Sequence, residues 1–175
     1  MEQDLRYPVG EFRPVQSVSA RERENWLNEI EALPSRLRAA VSDLNDMQLD
    51  TPYRNGGWTV RQVVHHLADS HMNSYTRFRL ALTEENPTIK PYAEALWAEL
   101  TDARSAPIEH SLQLLEGLHS RWVMLMRSLT DPDFSKTFQH PERGEMRLDQ
   151  NLALYSWHCR HHLAHISGLR ERNGW

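Results

Sequence analysis

Four of the ten histidines of this 175-residue chain fall within the eleven residues Tyr155-Ser-Trp-His-Cys-Arg-His-His-Leu-Ala-His165, at positions 158, 161, 162 and 165. Side chains three and four residues apart share one face of a helix. His158 and His162 form H-x-x-x-H, the spacing at which one helical turn offers two imidazoles to one metal ion. There is a single cysteine, so the donor chemistry on offer is imidazole rather than thiolate. Three neutral imidazoles leave a divalent ion its full charge and at least one open position, the layout of a catalytic rather than a closed structural site. An open position admits water, whose pKa then falls toward neutrality. It equally admits a thiol, which is deprotonated on binding. The first route leads to hydrolysis, the second to attack by a thiolate on an electrophile.

Such chemistry needs helices to hold it. Asp149 reads as the N-cap of a helix over about 150–171 that carries the cluster. Each helical residue advances by about 100°, which puts His162 near 280° and His158 near 240° from Leu152, inside or at the edge of an apolar arc centred at roughly 310°. His165 lies further round, and His161 further still. An isolated histidine on an apolar face is ordinarily a packed core residue, so a third donor from another helix is required. Thr59 followed by Gln62 is a capping box, and it predicts a second helix from Val60 to about Leu82. That helix contains Val63-Val-His-His-Leu-Ala-Asp-Ser-His71. On its wheel His71 shares the apolar face, His66 lies on the flank beside Asp69, Ser70 and Asn73, and His65 looks outward. The pattern alone leaves His66 and His71 as alternatives.

The remaining elements follow from periodicity. Trp26, Leu27, Ile30, Leu33, Leu37, Val41 and Leu44 recur at three and four, predicting a helix from about Ala20, kinked or restarted at Pro34. Another runs from near Pro107 through Ile108, Leu112, Leu115, Leu118, Trp122, Leu125, Met126 and Leu129, with Asp131-Pro-Asp133 ending it. Ala93–Leu100 reads as a short helix. Lys136–Leu148 reads as a small hairpin turning at Pro-Glu-Arg-Gly, and residues 1–18 as an extended arm packed on the domain. The fold class is therefore all-α, a four-helix bundle forming a single domain over 1–175. The connection between the second and third long helices exceeds twenty residues, long enough for a crossover.

A net charge of −4 provides no basic field for phosphate backbones, so nucleic acid is disfavoured as a partner. No run reaches 18 apolar residues, which argues against a membrane span. The N-terminus has no apolar segment of the signal-peptide kind. One cysteine fits a reducing cytoplasm.

Gly56-Gly-Trp-Thr-Val-Arg-Gln-Val-Val-His-His-Leu-Ala-Asp-Ser-His-Met-Asn-Ser-Tyr75, followed by Trp-His-x-x-x-His in the last helix, resembles the DinB/YfiT-like superfamily, and most closely its YfiT branch of metal-dependent hydrolases. The likeness runs from Tyr7-Pro-Val-Gly-Glu-Phe to the terminal Asn-Gly-Trp. It implies a four-helix bundle with a crossover and one divalent metal per chain, zinc or nickel, held by three histidines. Its helix-two ligand, directly before Leu-Ala-Asp, is His66; the others are His158 and His162. Relatives in the superfamily resemble S-transferases that use bacillithiol, mycothiol or glutathione, so the implied partners are a small electrophile and a low-molecular-weight thiol. The resemblance also implies a homodimer. A zincin-like Glu beside the histidines is lacking, which weighs against peptide hydrolysis and tilts the reading toward thiol transfer.

Other residues carry weaker expectations. Asp69, one turn beyond His66, is placed to orient an imidazole or a bound water. Arg54, Arg61 and Arg77 are read as surface or ion-pair residues, Cys159 as a small buried hydrophobe, and Trp58, Trp122 and Trp157 as core. His65, His110, His119, His140 and His161 have no assigned task. The competing reading is a non-catalytic stress or binding protein in which the metal only staples the helices.

Overall fold

The computed structural model describes residues 4–175. The first three residues of the expected arm, and with them the start of the N-terminus read above, lie outside the described residues. Residues 4–19 contain no helix. They lie along the last helix, where the carbonyls of Gly10, Val15 and Gln16 accept hydrogen bonds from Trp157, Gln150 and Arg147.

Four long helices make the body: α1 (Ala20–Val41), α3 (Val60–Thr83), α6 (Glu109–Arg127) and α8 (Leu148–Asn173). Short helices α2 (Asp46–Leu49), α4 (Glu94–Trp97), α5 (Thr101–Ser105) and α7 (Asp131–Phe134) lie in the connections. Strands β1 (Thr137–His140) and β2 (Gly144–Arg147) pair antiparallel as the expected hairpin, and Gly144 takes the positive φ that closes its turn.

Cross-helix pairs give the topology. Arg38 meets Glu109 and Glu116, whereas Arg127 meets Glu24 and Glu31, so α1 and α6 run antiparallel. His65 meets Ser111 and His71 meets His119, so α3 and α6 run parallel. Asn151 meets Ser74 and His158 meets His66, so α8 opposes α3. The order is up, down, down, up. The long α3–α6 connection is the crossover: it returns the chain to the starting end so that α6 can repeat the direction of α3. Leu27, Ile30, Leu33 and Leu37 of α1 pack with Val63, Val64, Leu67 and Phe78 of α3, Trp122 and Met126 of α6, and Leu152 and Ile166 of α8.

Several boundaries differ from expectation: Leu44 lies beyond the end of α1 and the short helix expected over Ala93–Leu100 covers Glu94–Trp97. Helix α1 continues through Pro34 rather than restarting. Helix α6 ends at Arg127, and Asp131–Phe134 forms a turn of its own. The N-cap of α8 is Arg147 rather than Asp149, because the Gln150 side chain accepts the Arg147 N–H; Asp149 instead sits inside the first turn and pairs with the Arg147 guanidinium.

Candidate metal centre

The Thr59–Gln62 capping box forms as expected, with Thr59 Oγ1 accepting from the Gln62 N–H and Gln62 Oε1 accepting from the Thr59 N–H. It fixes where α3 begins and hence the phase of every histidine on it. The turn before it needs its glycines. Gly56 has φ 65°, and a Cβ on Gly57 would meet Arg54 Cγ at 2.8 Å. This tight turn delivers Trp58 onto the site, its ring 4.6 Å from that of His66 and stacked at 6.3 Å on that of His162. Trp58 packs against the core as expected and in addition stands against the His66 and His162 rings.

His66, His158 and His162 converge, each offering one nitrogen within 4.8 Å of the other two. His66 Nε2 lies 3.2 Å from His158 Nε2. Burial, with His161 and His165 nearby, holds the His66 pKa down to about 3. Burial and neighbouring imidazoles depress His158 and His162 well below the ordinary histidine value. All three rings are neutral at pH 7, as ligation requires. Carboxylates and thiolates are absent from this set among the described residues. Cys159 is buried, and its thiol is pushed far above the usual range. A borderline divalent transition-metal cation fits three neutral imidazoles.

A second group, His161, His162 and His165, lies equally close and shares His162. His165 is covered by Tyr53, stacked at 3.9 Å, and faces the Arg6 carbonyl at 3.2 Å. His161, which the wheel placed furthest from the apolar arc, is covered by Trp157 of α8 and by Tyr7 of the arm. His65, expected to look outward, is buried against the start of α6 and the chain before it, where Ser111 Oγ and the Ala106 carbonyl engage its ring. Both corrections have one cause: a wheel drawn for the four long helices omits the arm and the crossover that cover their outer faces.

His71 occupies the core position its pattern predicts, fully buried. Its Nδ1 faces His119 Nε2 at 2.9 Å, its Nε2 faces His158 Nδ1 at 3.1 Å, and His119 Nδ1 faces the Ile30 carbonyl at 2.7 Å. His119 had no expected task. Its spacing within Leu112, Leu115, Trp122 and Met126 on the buried stripe of α6 was the available signal.

Asp69 is partly buried, and its carboxyl is raised to about 6, chiefly by burial and then by Asp102. It lies outside the imidazole set. Arg61 is buried between Asp50 and Asp46 as an ion-pair residue. Arg54 lies over the Tyr53 ring.

Residues 29–166 match the profile of the DinB superfamily. The chain belongs to the DinB superfamily. It is 58% identical over 172 residues to a Bacillus mycoides protein provisionally named a metal-dependent hydrolase, covering 98% of this chain and 99% of that one. A Bacillus anthracis relative with the same provisional name is 57% identical over the same span. Among solved structures, YfiT from Bacillus subtilis, described as a probable metal-dependent hydrolase with an unusual four-helix bundle topology, superposes with a TM-score of 0.95 at 53% identity over 98% of each chain. A second four-helix bundle protein, TT2238, superposes with a TM-score of 0.58 at 23% identity, covering 83% of this chain and 98% of that one, and shares the fold alone. Among the described residues of this superfamily member, no helix is long and apolar enough to cross a membrane.

Proposed function

We propose that the chain is a metal-dependent enzyme in which His66, His158 and His162 hold one zinc or nickel ion. The observation that carries this reading is the convergence of three neutral, carboxylate-free imidazoles from two helices beside the Trp58 ring. A divalent ion held there supplies Lewis-acid activation of a small nucleophile, water or thiol. The chain's own residues divide the remaining work. Trp58 screens the His66 and His162 rings from bulk solvent. Asp69, one turn beyond His66 on α3, keeps a half-buried carboxyl raised to about 6, available to orient an imidazole or a bound water.

The names of the relatives support hydrolysis as the coarse class. The lack of a glutamate beside the ligands of the zincin H-E-x-x-H kind, the general base of peptide hydrolysis, favours a second route, transfer of a low-molecular-weight thiol of the bacillithiol kind to an electrophile. Zinc-loaded protein mixed with such a thiol and a reactive electrophile separates them: conjugate formed above the uncatalysed background supports transfer, and none counts against it. Zinc stoichiometry near one per chain, lost in His66→Ala, His158→Ala and His162→Ala, tests the ligand set. A strong fall in stability on chelation without any turnover would instead favour the metal as a staple.

A further inference from the structure

The ligand reading leaves His71, His119 and His165 unexplained, although all three are buried. Their ring nitrogens are in line with the ligands rather than scattered. A carbonyl oxygen carries no proton, so a ring nitrogen facing one must donate. His119 Nδ1 lies 2.7 Å from the Ile30 carbonyl and is therefore the protonated nitrogen. A neutral ring has one proton, so His119 Nε2 accepts, and His71 Nδ1 donates to it across 2.9 Å. His71 Nε2 then accepts from His158 Nδ1 across 3.1 Å. That leaves His158 with a bare Nε2, the atom that faces His66.

The second ligand of α8 shows the same logic from the other side. His165 Nε2 lies 3.2 Å from the Arg6 carbonyl and must donate. Its Nδ1 therefore accepts, and the His162 Nδ1–H faces it at 3.4 Å. His162 Nε2 is left bare as well.

We infer that two histidine relays, His158–His71–His119 ending on the Ile30 carbonyl and His162–His165 ending on the Arg6 carbonyl, lock both α8 ligands in the Nδ1–H tautomer and so aim their Nε2 lone pairs at the metal. His71, His119 and His165 are positioning residues. The first relay threads all four long helices, α1 through Ile30, α6 through His119, α3 through His71 and α8 through His158. The second ties the arm to the site. Ligating histidines ordinarily hand their other N–H directly to a carbonyl or carboxylate; here the acceptor is another imidazole, and the backbone oxygen lies one or two rings away. The relay also uses the His162 and His165 nitrogens on each other, which leaves the His161–His162–His165 group without the lone pairs for a second ion.

The inference rests on His66, His158 and His162 as ligands, and the test separates the two. Long-range proton–nitrogen spectra of the full chain with labelled histidine read each tautomer directly, metal-free and zinc-loaded. Zinc affinity by chelator competition is measured for wild type, His119→Phe, His165→Phe, and the conservative His119→Gln and His165→Asn, which restore an acceptor oxygen. We expect His158 and His162 in the Nδ1–H form in the wild type, a loss of about 10–100-fold in zinc affinity in each Phe variant, and recovery in the amide variants. Should His119→Phe fail to fold, the His165 pair and the wild-type spectra decide. Three results overturn the relay while leaving the ligand set standing. They are Nε2–H tautomers at His158 and His162 in the metal-free wild type, unaltered affinity in the Phe variants, and a second zinc per chain that depends on His165. A wild type that takes up no zinc overturns the ligand reading itself.

Discussion

Two sets of three histidines share His162 in this molecule, and their nitrogens lie equally close together. One set, with His66 and His158, has the Trp58 ring against it. The other, with His161 and His165, is closed over by Tyr53, Trp157 and Tyr7 and faces a backbone carbonyl. Proximity of donors is therefore a poor guide to a metal site. What separates the sets is where the other nitrogen of each ring goes, because an imidazole offers one lone pair only when its remaining nitrogen has somewhere to place a proton.

The largest expected effect is one that breaks both sets together. Burial lowers His119, His161 and His165 to about 4 and His66 to about 3. A depressed histidine stabilises the fold above its unfolded pKa of about 6.5, and that stability is lost as pH falls toward the folded value. For His119 alone the linkage is on the order of 3 kcal/mol. Urea unfolding of metal-free protein should show steep destabilisation between pH 6.5 and 4; a flat profile would mean that the rings are not held neutral.

The next effect distinguishes the sets. His158→Ala should weaken zinc binding by more than about 100-fold, beyond the usual effect of changing a ligand's hydrogen-bond partner. His161→Ala should leave binding unchanged, as read by chelator competition. Equal losses in the two variants would erase the distinction.

A smaller effect tests the element that phases one set against the other. Thr59→Ala removes the cap of α3 and should cost about 1 kcal/mol in urea unfolding, with little change in zinc stoichiometry. The smallest concerns Asp69. Its raised pKa means that stability is present below the unfolded value near 3.8 and is lost as pH rises through about 6. Asp69→Asn should flatten that shallow slope between pH 4 and 7, and if the carboxyl receives a proton in the reaction, it should also remove a limb near pH 6 from the rate profile. An unchanged profile would leave Asp69 a solvated helix carboxylate.

Much of this was legible in the residues themselves. Periodicity located the four helices to within a few positions, because apolar side chains at three and four must face a common interior. The Thr59–Gln62 box began α3 at Val60, since that cap depends on neighbouring atoms alone. The inward phase of His158 and His162 followed from helix geometry. The choice of His66 over His71 came from the family motif rather than the wheel. The structure explains why the wheel could not choose: both rings meet His158, His66 at its Nε2 and His71 at its Nδ1.

What the sequence determined by itself was local: helix positions, caps, the hairpin, and which histidines could share a face. Only the tertiary structure decided which of those histidines lose their second nitrogen to a partner. That choice depends on the Ile30 and Arg6 carbonyls, 89 and 159 positions away in the chain from the rings they receive. It also depends on an arm and a crossover that bury His161 and His65, faces a bare helix would leave to water. A tautomer is set by the atoms that surround a ring, and those atoms are assembled only when the bundle closes.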